Sequence, residues 1–319
     1  MTAPQRVAIL GLGLIGASLG LALKRLPKPP TVVGFDLNGS QVRAAQSMHS
    51  IDRAAGGLLD AVQDAELVVV ASPVRAVEPI LRQVGNLLVE GTVVTDTAST
   101  KSQVLEWAER LLPRRVGFVG GHPMTGKVTA NVNGPDGGLF AGRVYCLTPS
   151  PQTDPRVVAR AVWLVEAVGG VPYFLNAEEH DTLLAAVSHL PYVLSATLMD
   201  DVAGNEAWRE MSALAAGGLI AATGLAEGDA RVFGDICLTN RGPLVAALDR
   251  YLEHLQAVRD QVADGDEGLI HRFDRAHKRR AEWLESRARP PADLPELDLK
   301  PSNPFLPSKL GGFLRGRRP

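Results

Sequence analysis

Short apolar runs alternate with amphipathic segments through the first half of the chain. The apolar runs predict strands at Arg6 to Leu10, Thr31 to Phe35, Glu66 to Val70, Thr92 to Thr95, Val116 to Val119, Arg143 to Leu147 and Pro172 to Leu175. Several carry Val or Ile at consecutive positions, which is typical of strands buried on both faces of a parallel sheet. The segments between them predict helices at Leu14 to Lys24, Ser40 to Met48, Val74 to Leu88, Lys101 to Leu112 and Asp154 to Val168. This alternation predicts a doubly wound α/β domain of the Rossmann type over residues 1–176.

The pattern changes after Asn176, where the chain becomes rich in Ala and Leu and has few β-like runs. Residues 177–289 are predicted to form an all-α domain of about five helices. The first of these, from Ala177 to Val202, contains Pro191, which should kink it. Residues 290–319 form a tail that is rich in Pro and Gly and has no periodicity.

Composition narrows the class of protein. Charged residues make up 21% of the 319 residues and the formal net charge is -2, which removes the electrostatic argument for nucleic acid as a partner. Cys146 and Cys237 are the two cysteines, too few for a disulfide scaffold and consistent with a reducing compartment. No stretch is expected to approach the ~20 apolar residues of a membrane helix. We therefore expect a cytoplasmic protein with no membrane or nucleic-acid partner.

A glycine motif follows the first predicted strand and opens the first predicted helix. The run Gly11–Gly16 reads G-x-G-x-x-G, and Asp36 ends the second strand twenty residues later. In such motifs the glycines allow a tight turn and close approach to a pyrophosphate, while the acid binds the ribose hydroxyls and repels a 2′-phosphate. NAD is therefore predicted over NADP. The residues expected to bind the cofactor are Gly11, Gly13, Leu14, Ile15, Gly16, Asp36, Ser72 and Pro73.

Further polar loops should gather at the carboxyl ends of the strands, where ligands bind in doubly wound sheets. One of these segments contains His122 in the sequence Gly-His-Pro-Met-Thr-Gly. Its neutral imidazole has the right basicity to take a proton from an alcohol during hydride transfer. A loop histidine bonded only to the backbone is an equal alternative from position alone. No pattern in the chain indicates a metal site.

Several motifs together resemble the prephenate/arogenate dehydrogenase family. They are GLGLIGASL, ASPV, DTASTK, GHPMTG, the segment EEHD through SHLP, and GDICLTNR. The resemblance runs in order from about Arg6 to about Arg289. It implies NAD-dependent oxidative decarboxylation of prephenate or arogenate, in which hydride leaves the C4 carbinol and CO₂ leaves C1. It also implies a homodimer built by the helical domain.

The resemblance also implies roles for individual residues. His122 matches the family's catalytic histidine, and Ser99 matches the serine that hydrogen-bonds the same substrate hydroxyl. His189 should contact substrate or cofactor, although a packed helix histidine is an equal alternative. His180 is assigned a role in helix capping and interhelical structure. Asp96 and Lys101 are assigned roles in local structure. The residues expected to bind substrate are His189, Lys127, Tyr192, Thr125 and Arg231.

The chain also departs from the family pattern. Tyr192 follows SHLP where many members have histidine, and HPMTGKV replaces the usual HPMAGTE. Gly224 stands where the family keeps an arginine that binds a substrate carboxylate. Lys127 is the best replacement cation and Arg231 the second, although a solvated loop lysine is an equal reading of Lys127.

Two other functions remain open at this point. One is a β-hydroxyacid dehydrogenase or imine reductase, which pairs similar domains but lacks the GHPM and SHLP motifs. The other is an NAD-binding module without catalysis, which the missing arginine makes plausible. The sequence does not decide between prephenate and arogenate.

Overall fold

The computed structural model describes residues 3–125 and 134–288 of the chain. Eight strands form one sheet in this part of the chain. They are β1 (Arg6–Leu10), β2 (Thr31–Phe35), β3 (Arg53–Ala54), β4 (Leu67–Val70), β5 (Val93–Asp96), β6 (Gly117–Pro123), β7 (Val144–Thr148) and β8 (Val171–Phe174). The helices among them are α1 (Leu14–Lys24), α2 (Gly39–Ser47), α3 (Leu58–Val62), α4 (Val74–Val84), α5 (Ser102–Leu111) and α6 (Pro155–Ala167).

The strand order is β3-β2-β1-β4-β5-β6-β7-β8, and every neighbouring pair is parallel except β6 and β7. The predicted Rossmann-type domain is confirmed. The bounds of β1, β2 and α1 agree with the sequence prediction, whereas β3 and α3 are additions to it. The antiparallel β6–β7 pair also departs from a purely parallel sheet.

The sheet is buried on both faces, as its apolar runs predicted. All four residues of β4 are fully buried. Successive β1 residues alternate between two cores: Ala8 and Leu10 pack with residues of α3, α4 and α5, while Val7 and Ile9 pack with α1 and α6. These two layers of helices hold the carboxyl ends of β1, β4 and β5 at one edge of the sheet.

The chain is helical from Ala177 onward. Within the described residues this part contains α7 (Ala177–Leu184), α8 (Leu190–Ala203), α9 (Trp208–Leu214), α10 (Gly217–Thr223), α11 (Ala230–Thr239), α12 (Arg241–Ala263) and α13 (Gly268–Ala288). The expected number of about five helices was therefore too low, since α9 and α10 are short and bury no residue. Residues 289–319, with the predicted tail, lie outside the described residues.

The predicted long first helix is interrupted by a π-helical segment, Ala185–His189, between α7 and α8. The Leu190 N–H donates to the Ala185 carbonyl, five residues back. Pro191 lies just beyond and has no N–H to donate, so it disturbs the regular ladder where the sequence predicted a kink. The disturbance takes the form of a widened turn next to His189.

The run Ala177–Ala203 is 27 residues long and, by length and composition alone, could cross a membrane. This departs from the expectation that no stretch approaches such a length. However, His180, Asp181 and His189 on this run are buried and hydrogen-bonded to other parts of the protein. These polar contacts are typical of a helix packed within a globular protein.

Candidate active site

Each glycine of the motif has its own structural reason. Gly11 has φ +105°, and a Cβ there would lie 2.4 Å from the Ala71 carbonyl oxygen. A Cβ on Gly16 would lie 1.9 Å from the Gly11 carbonyl oxygen, so α1 and the turn are in close contact. At Gly13, by contrast, a Cβ would meet no described residue within 4 Å. Within the described residues, Gly13 therefore borders open space at the N-terminus of α1, as a turn that admits a pyrophosphate requires.

Asp36 lies beside this turn at the end of β2. Its Oδ2 accepts a hydrogen bond of 2.7 Å from the Leu12 N–H, and its Oδ1 accepts one of 2.7 Å from the Asn38 N–H. The carboxylate thus holds the glycine turn in place. Each carboxylate oxygen has further lone pairs, so these bonds leave acceptor capacity for ribose hydroxyls.

The other predicted cofactor residues border the same edge of the sheet. Leu14 and Ile15 begin α1 and are partly exposed. The Ser72 hydroxyl donates to the Leu10 carbonyl at 3.0 Å, and Pro73 precedes the first residue of α4. The donor set around the turn therefore fits a dinucleotide.

His122 lies on β6 and is buried at this edge. Its Nδ1 lies 2.9 Å from the Nε2 of His180 on α7, and the two rings meet edge to face. Because Nδ1 is engaged, Nε2 is the ring nitrogen available to a substrate. The loop reading, in which His122 bonds only to the backbone, is not what the structure has.

Burial, together with the nearby His180, Lys101 and His189, lowers the pKa of His122 well below the usual value for histidine. Burial also lowers the pKa of His180, although the hydrogen bond with Asp181 opposes this effect. Both rings are therefore neutral at physiological pH. A neutral His122 is in the form that can accept a proton.

A buried ion pair supports the strand that carries His122. Lys101 and Asp96 are both fully buried, and the Lys101 ammonium donates to the Asp96 carboxylate and, at 2.7 Å, to the Gly121 carbonyl. Asp96 Oδ1 also accepts from the Gly121 N–H at 3.1 Å. The pair thus fixes the residue before His122 through both of its backbone groups, in keeping with the structural role expected for both residues.

Ser99 lies half-buried on the loop between β5 and α5, the loop that Asp96 and Lys101 bracket. Thr100, next to it, shares a hydrogen bond of 3.0 Å with Thr239 of α11. Thr125 is half-buried after β6, and its hydroxyl donates to the Leu139 carbonyl at 3.3 Å. The structure therefore joins the Ser99 loop to the helical part of the chain.

His189 ends the π-helical segment and is buried. Its Nδ1 lies 3.0 Å from the Nδ2 of Asn240, which also donates to the Asp181 carbonyl at 2.8 Å. The Nε2 of His189 is buried without a partner among the described residues. Burial lowers the pKa of His189 to about 4, so the ring is neutral. Because Asn240 donates to Nδ1, the neutral ring carries its proton on Nε2, where it can be donated to a ligand.

The remaining residues predicted to bind substrate lie in separate parts of the helical domain or outside the described residues. Tyr192 of α8 stacks on Phe233 of α11, with ring centroids 3.6 Å apart. Arg231 is exposed in the first turn of α11. A Cβ at Gly224 would meet nothing within 4 Å in the part of the chain that the structure describes, so no side chain there fills the position aligned with the family's arginine. Lys127 lies outside the described residues.

Two family profiles match the chain. Residues 19–174 match the profile described as prephenate dehydrogenase, nucleotide-binding domain, and residues 176–275 match prephenate dehydrogenase, dimerization domain. The chain belongs to the prephenate dehydrogenase family. The fold, the GHPM motif and the SHLP motif of this family member thus agree, and the β-hydroxyacid dehydrogenase and imine reductase alternative has no comparable support.

Individual proteins support the same assignment. This prephenate dehydrogenase family member is 33% identical over 287 residues to the cyclohexadienyl dehydrogenase of Zymomonas mobilis, covering 88% of this chain and 96% of that protein. A. aeolicus prephenate dehydrogenase, solved with hydroxyphenyl propionate and NAD+, is similar with a TM-score of 0.81 and 27% identity, over 88% of this chain and 99% of that one. Synechocystis arogenate dehydrogenase is similar with a TM-score of 0.73 and 27% identity, over 87% and 99%.

Sequence reasoning missed how His180, Asp181 and Asn240 take part in the site. A histidine followed by an aspartate at a helix start resembles a cap, and Asp181 does cap α5 through the Lys101 and Ser102 N–H groups. The contact between His180 and His122 joins residues 58 positions apart, so no local sequence pattern predicts it. Among the described residues, no group of three or more His, Cys, Asp or Glu could hold a metal ion.

Proposed function

We propose that this protein oxidises prephenate or arogenate with NAD⁺ and releases CO₂, forming 4-hydroxyphenylpyruvate or tyrosine. The observation that carries the proposal is His122, a buried neutral histidine at the nucleotide edge of the sheet whose Nδ1 is engaged and whose Nε2 is available. Membership of the family in both halves of the chain supports the same reaction.

The cofactor, when bound, accepts hydride from the substrate C4. The turn around Gly13 and the N-terminus of α1 would hold its pyrophosphate, and Asp36 would bind the adenosine ribose. His122 takes the C4 hydroxyl proton through Nε2 as the C4–H bond breaks, which leaves a C4 carbonyl on the ring. Ser99 contributes a hydrogen bond to the same oxygen.

Loss of CO₂ then completes the reaction. The C1–carboxylate bond breaks, its electron pair enters the ring, and the C4 oxygen becomes a phenolate. His122 returns its proton to that oxygen, so the overall reaction releases no proton. His189, with its proton on Nε2, is proposed as a donor to the substrate, and Thr125 and Tyr192 as further polar contacts.

The test is NADH formation on mixing the purified protein with NAD⁺ and either prephenate or arogenate. Turnover of either substrate excludes a binding module without catalysis. Absence of turnover with both, in a protein that still binds NAD⁺, would overturn the proposed reaction. Kinetics on the two substrates side by side decide between the keto and the amino side chain.

NAD⁺ is expected to be preferred over NADP⁺, because the Asp36 carboxylate would lie against a 2′-phosphate. Replacing Asp36 with Ser removes that repulsion and should reduce the ratio of kcat/KM for NAD⁺ to kcat/KM for NADP⁺. The measurement is kcat/KM for both cofactors in the wild type and the variant. More efficient use of NADP⁺ by the wild type would show that the role given to Asp36 is wrong.

Lys127 is proposed, on sequence grounds, as the cation that binds a substrate carboxylate in place of the arginine missing at Gly224. A desolvated carboxylate needs such a partner. Lys127→Ala is expected to raise KM by roughly 10-fold, the scale of ~1.5 kcal/mol for a hydrogen bond to a charged group, with a smaller effect on kcat. Steady-state kinetics measure both constants.

Arg231→Ala is the matched comparison, because Arg231 is the second candidate and lies exposed on α11. If Lys127→Ala leaves KM unchanged while Arg231→Ala raises it, the cation comes from the helical domain. If neither variant changes KM, backbone N–H groups or the partner subunit must hold the carboxylate.

The active protein is proposed to be a cytoplasmic homodimer, with residues 1–176 binding NAD and residues 177–289 forming the substrate and dimerisation domain. The match of residues 176–275 to a dimerization domain supports this assembly. So do the exposed apolar side chains on the last two helices, which include Leu252, Leu255, Val262, Ile270 and Phe273. Patches of this kind mark interfaces in soluble proteins.

A further inference from the structure

Three side chains form a continuous hydrogen-bonded chain behind the proposed base. His122 Nδ1 lies 2.9 Å from His180 Nε2, and His180 Nδ1 lies 2.9 Å from Asp181 Oδ1. Asp181 is itself held by the backbone, because Oδ1 accepts from the Lys101 N–H at 2.7 Å and Oδ2 from the Ser102 N–H at 2.8 Å. The chain therefore starts from a carboxylate whose position is fixed by α5.

The charge state of the three groups fixes where the protons lie. Burial raises the pKa of Asp181, but hydrogen bonds from His180, Ser102 and Lys101 outweigh it and hold the pKa below its usual value. Asp181 is therefore ionised and can only accept hydrogen bonds. His180 must then carry its proton on Nδ1, which leaves a lone pair on its Nε2.

That lone pair faces His122. A neutral imidazole has one N–H and one lone pair, so a bond to the His180 lone pair requires the His122 proton to be on Nδ1. The lone pair of His122 is then on Nε2, the nitrogen available to the substrate hydroxyl. Reversal of either ring would place two lone pairs or two protons against each other in a buried site, which is costly.

We propose that His180, anchored by Asp181, is a positioning residue that fixes His122 in the Nδ1–H tautomer and so supplies the lone pair on Nε2. The inference rests on the proposed role of His122 as the base. It also gives the protonated form a partner: once Nε2 has taken the proton, the His122 cation donates through Nδ1 to His180, with the Asp181 carboxylate behind it. Among the described residues, the other charged or titratable groups near these rings are Asp96, Lys101 and His189.

The direct test is ¹⁵N NMR of the full-length protein at neutral pH, since the shifts of the two ring nitrogens distinguish the tautomers. The chain has 7 histidines, and the signals of His122 are identified by their loss in His122→Asn. The Nδ1–H tautomer is expected for His122. An Nε2–H tautomer would overturn the inference, whatever the activity.

The kinetic test compares His180→Gln with His180→Leu. Gln keeps a carbonyl that can accept from the His122 Nδ1–H, whereas Leu has no acceptor. We expect kcat to fall by about 10-fold or more in the Leu variant, with KM little changed, and to be partly restored in the Gln variant. The Leu variant should also show His122 as a mixture of tautomers.

A wild-type kcat in a folded Leu variant would contradict the proposal. If the Leu variant does not fold, the Gln variant and the wild-type spectrum still decide the matter. A Gln variant whose KM rises by as large a factor as its kcat falls points to a merely structural role. The two proposals can fail separately. If the protein forms no NADH but His122 is found in the Nδ1–H tautomer, the proposed reaction is wrong and the tautomer assignment is still correct.

Discussion

His122→Asn is expected to lower kcat by about 10²-fold or more, the usual scale for loss of a general base. The amide of Asn has no lone pair of comparable basicity, so the C4 hydroxyl proton has no acceptor as hydride leaves. The glycine turn and Asp36 do not contact His122, so affinity for the nucleotide should be nearly unchanged. Steady-state kinetics measure the first effect, and titration with NADH the second.

Ser99→Ala is the matched comparison on the neighbouring loop. It should lower kcat less than His122→Asn does, since a water molecule can replace a hydroxyl but not a base. A normal kcat in His122→Asn would remove His122 from the mechanism. In the wild type, the acidic limb of the kcat/KM profile should lie well below the usual histidine pKa, because burial lowers the pKa of His122 and the active form is the neutral one.

Lys101→Met is expected to lower the free energy of unfolding by about 3–5 kcal/mol, the scale for breaking a buried ion pair by removing one partner. Asp96 would remain fully buried without its countercharge, and the Gly121 carbonyl would lose its donor. Urea denaturation followed by circular dichroism measures the change.

The matched control is Lys278→Met, which removes an exposed lysine from a helical pair with Asp274. An exposed pair contributes little, so this variant should stay within about 0.5 kcal/mol of the wild type. The double variant Asp96→Asn with Lys101→Met should recover part of the stability, because it no longer leaves a buried charge. Equal stability of Lys101→Met and Lys278→Met would show that the buried pair does not support β6.

The parts of the fold that follow from local rules could be predicted from the sequence. The β1–turn–α1 unit was predicted with its observed bounds, because each glycine answers a local backbone requirement. Strand β3 and helix α3 have only 2 and 5 residues, so they lack the periodicity that identifies an element. Helices α9 and α10 are short and bury no residue, so they too lack the buried stripe from which helices are counted in a sequence.

The site was predictable only residue by residue. His122 and His189 were identified from motifs. The hydrogen bonds that determine which of their ring nitrogens carries the proton are made with His180 and Asn240, which are distant in the chain. These contacts depend on how α7 packs against the sheet and on how the junction of α11 and α12 packs against the π-helical segment. That packing is a tertiary property, and neither spacing nor composition encodes it in a form that one sequence reveals.

The π-helical segment determines the angle between two histidines on one helical run. In a regular α-helix each residue turns by 100°, so positions nine apart, such as His180 and His189, would point to nearly opposite sides, about 180° apart. One extra residue accommodated in the wide turn reduces that angle to about 80°. Deleting one residue of the segment ahead of His189 would leave the two histidines eight positions apart in a regular helix, again about 80° apart. The wide turn therefore lets the chain carry one more residue while both imidazoles keep to the same side of the helical run.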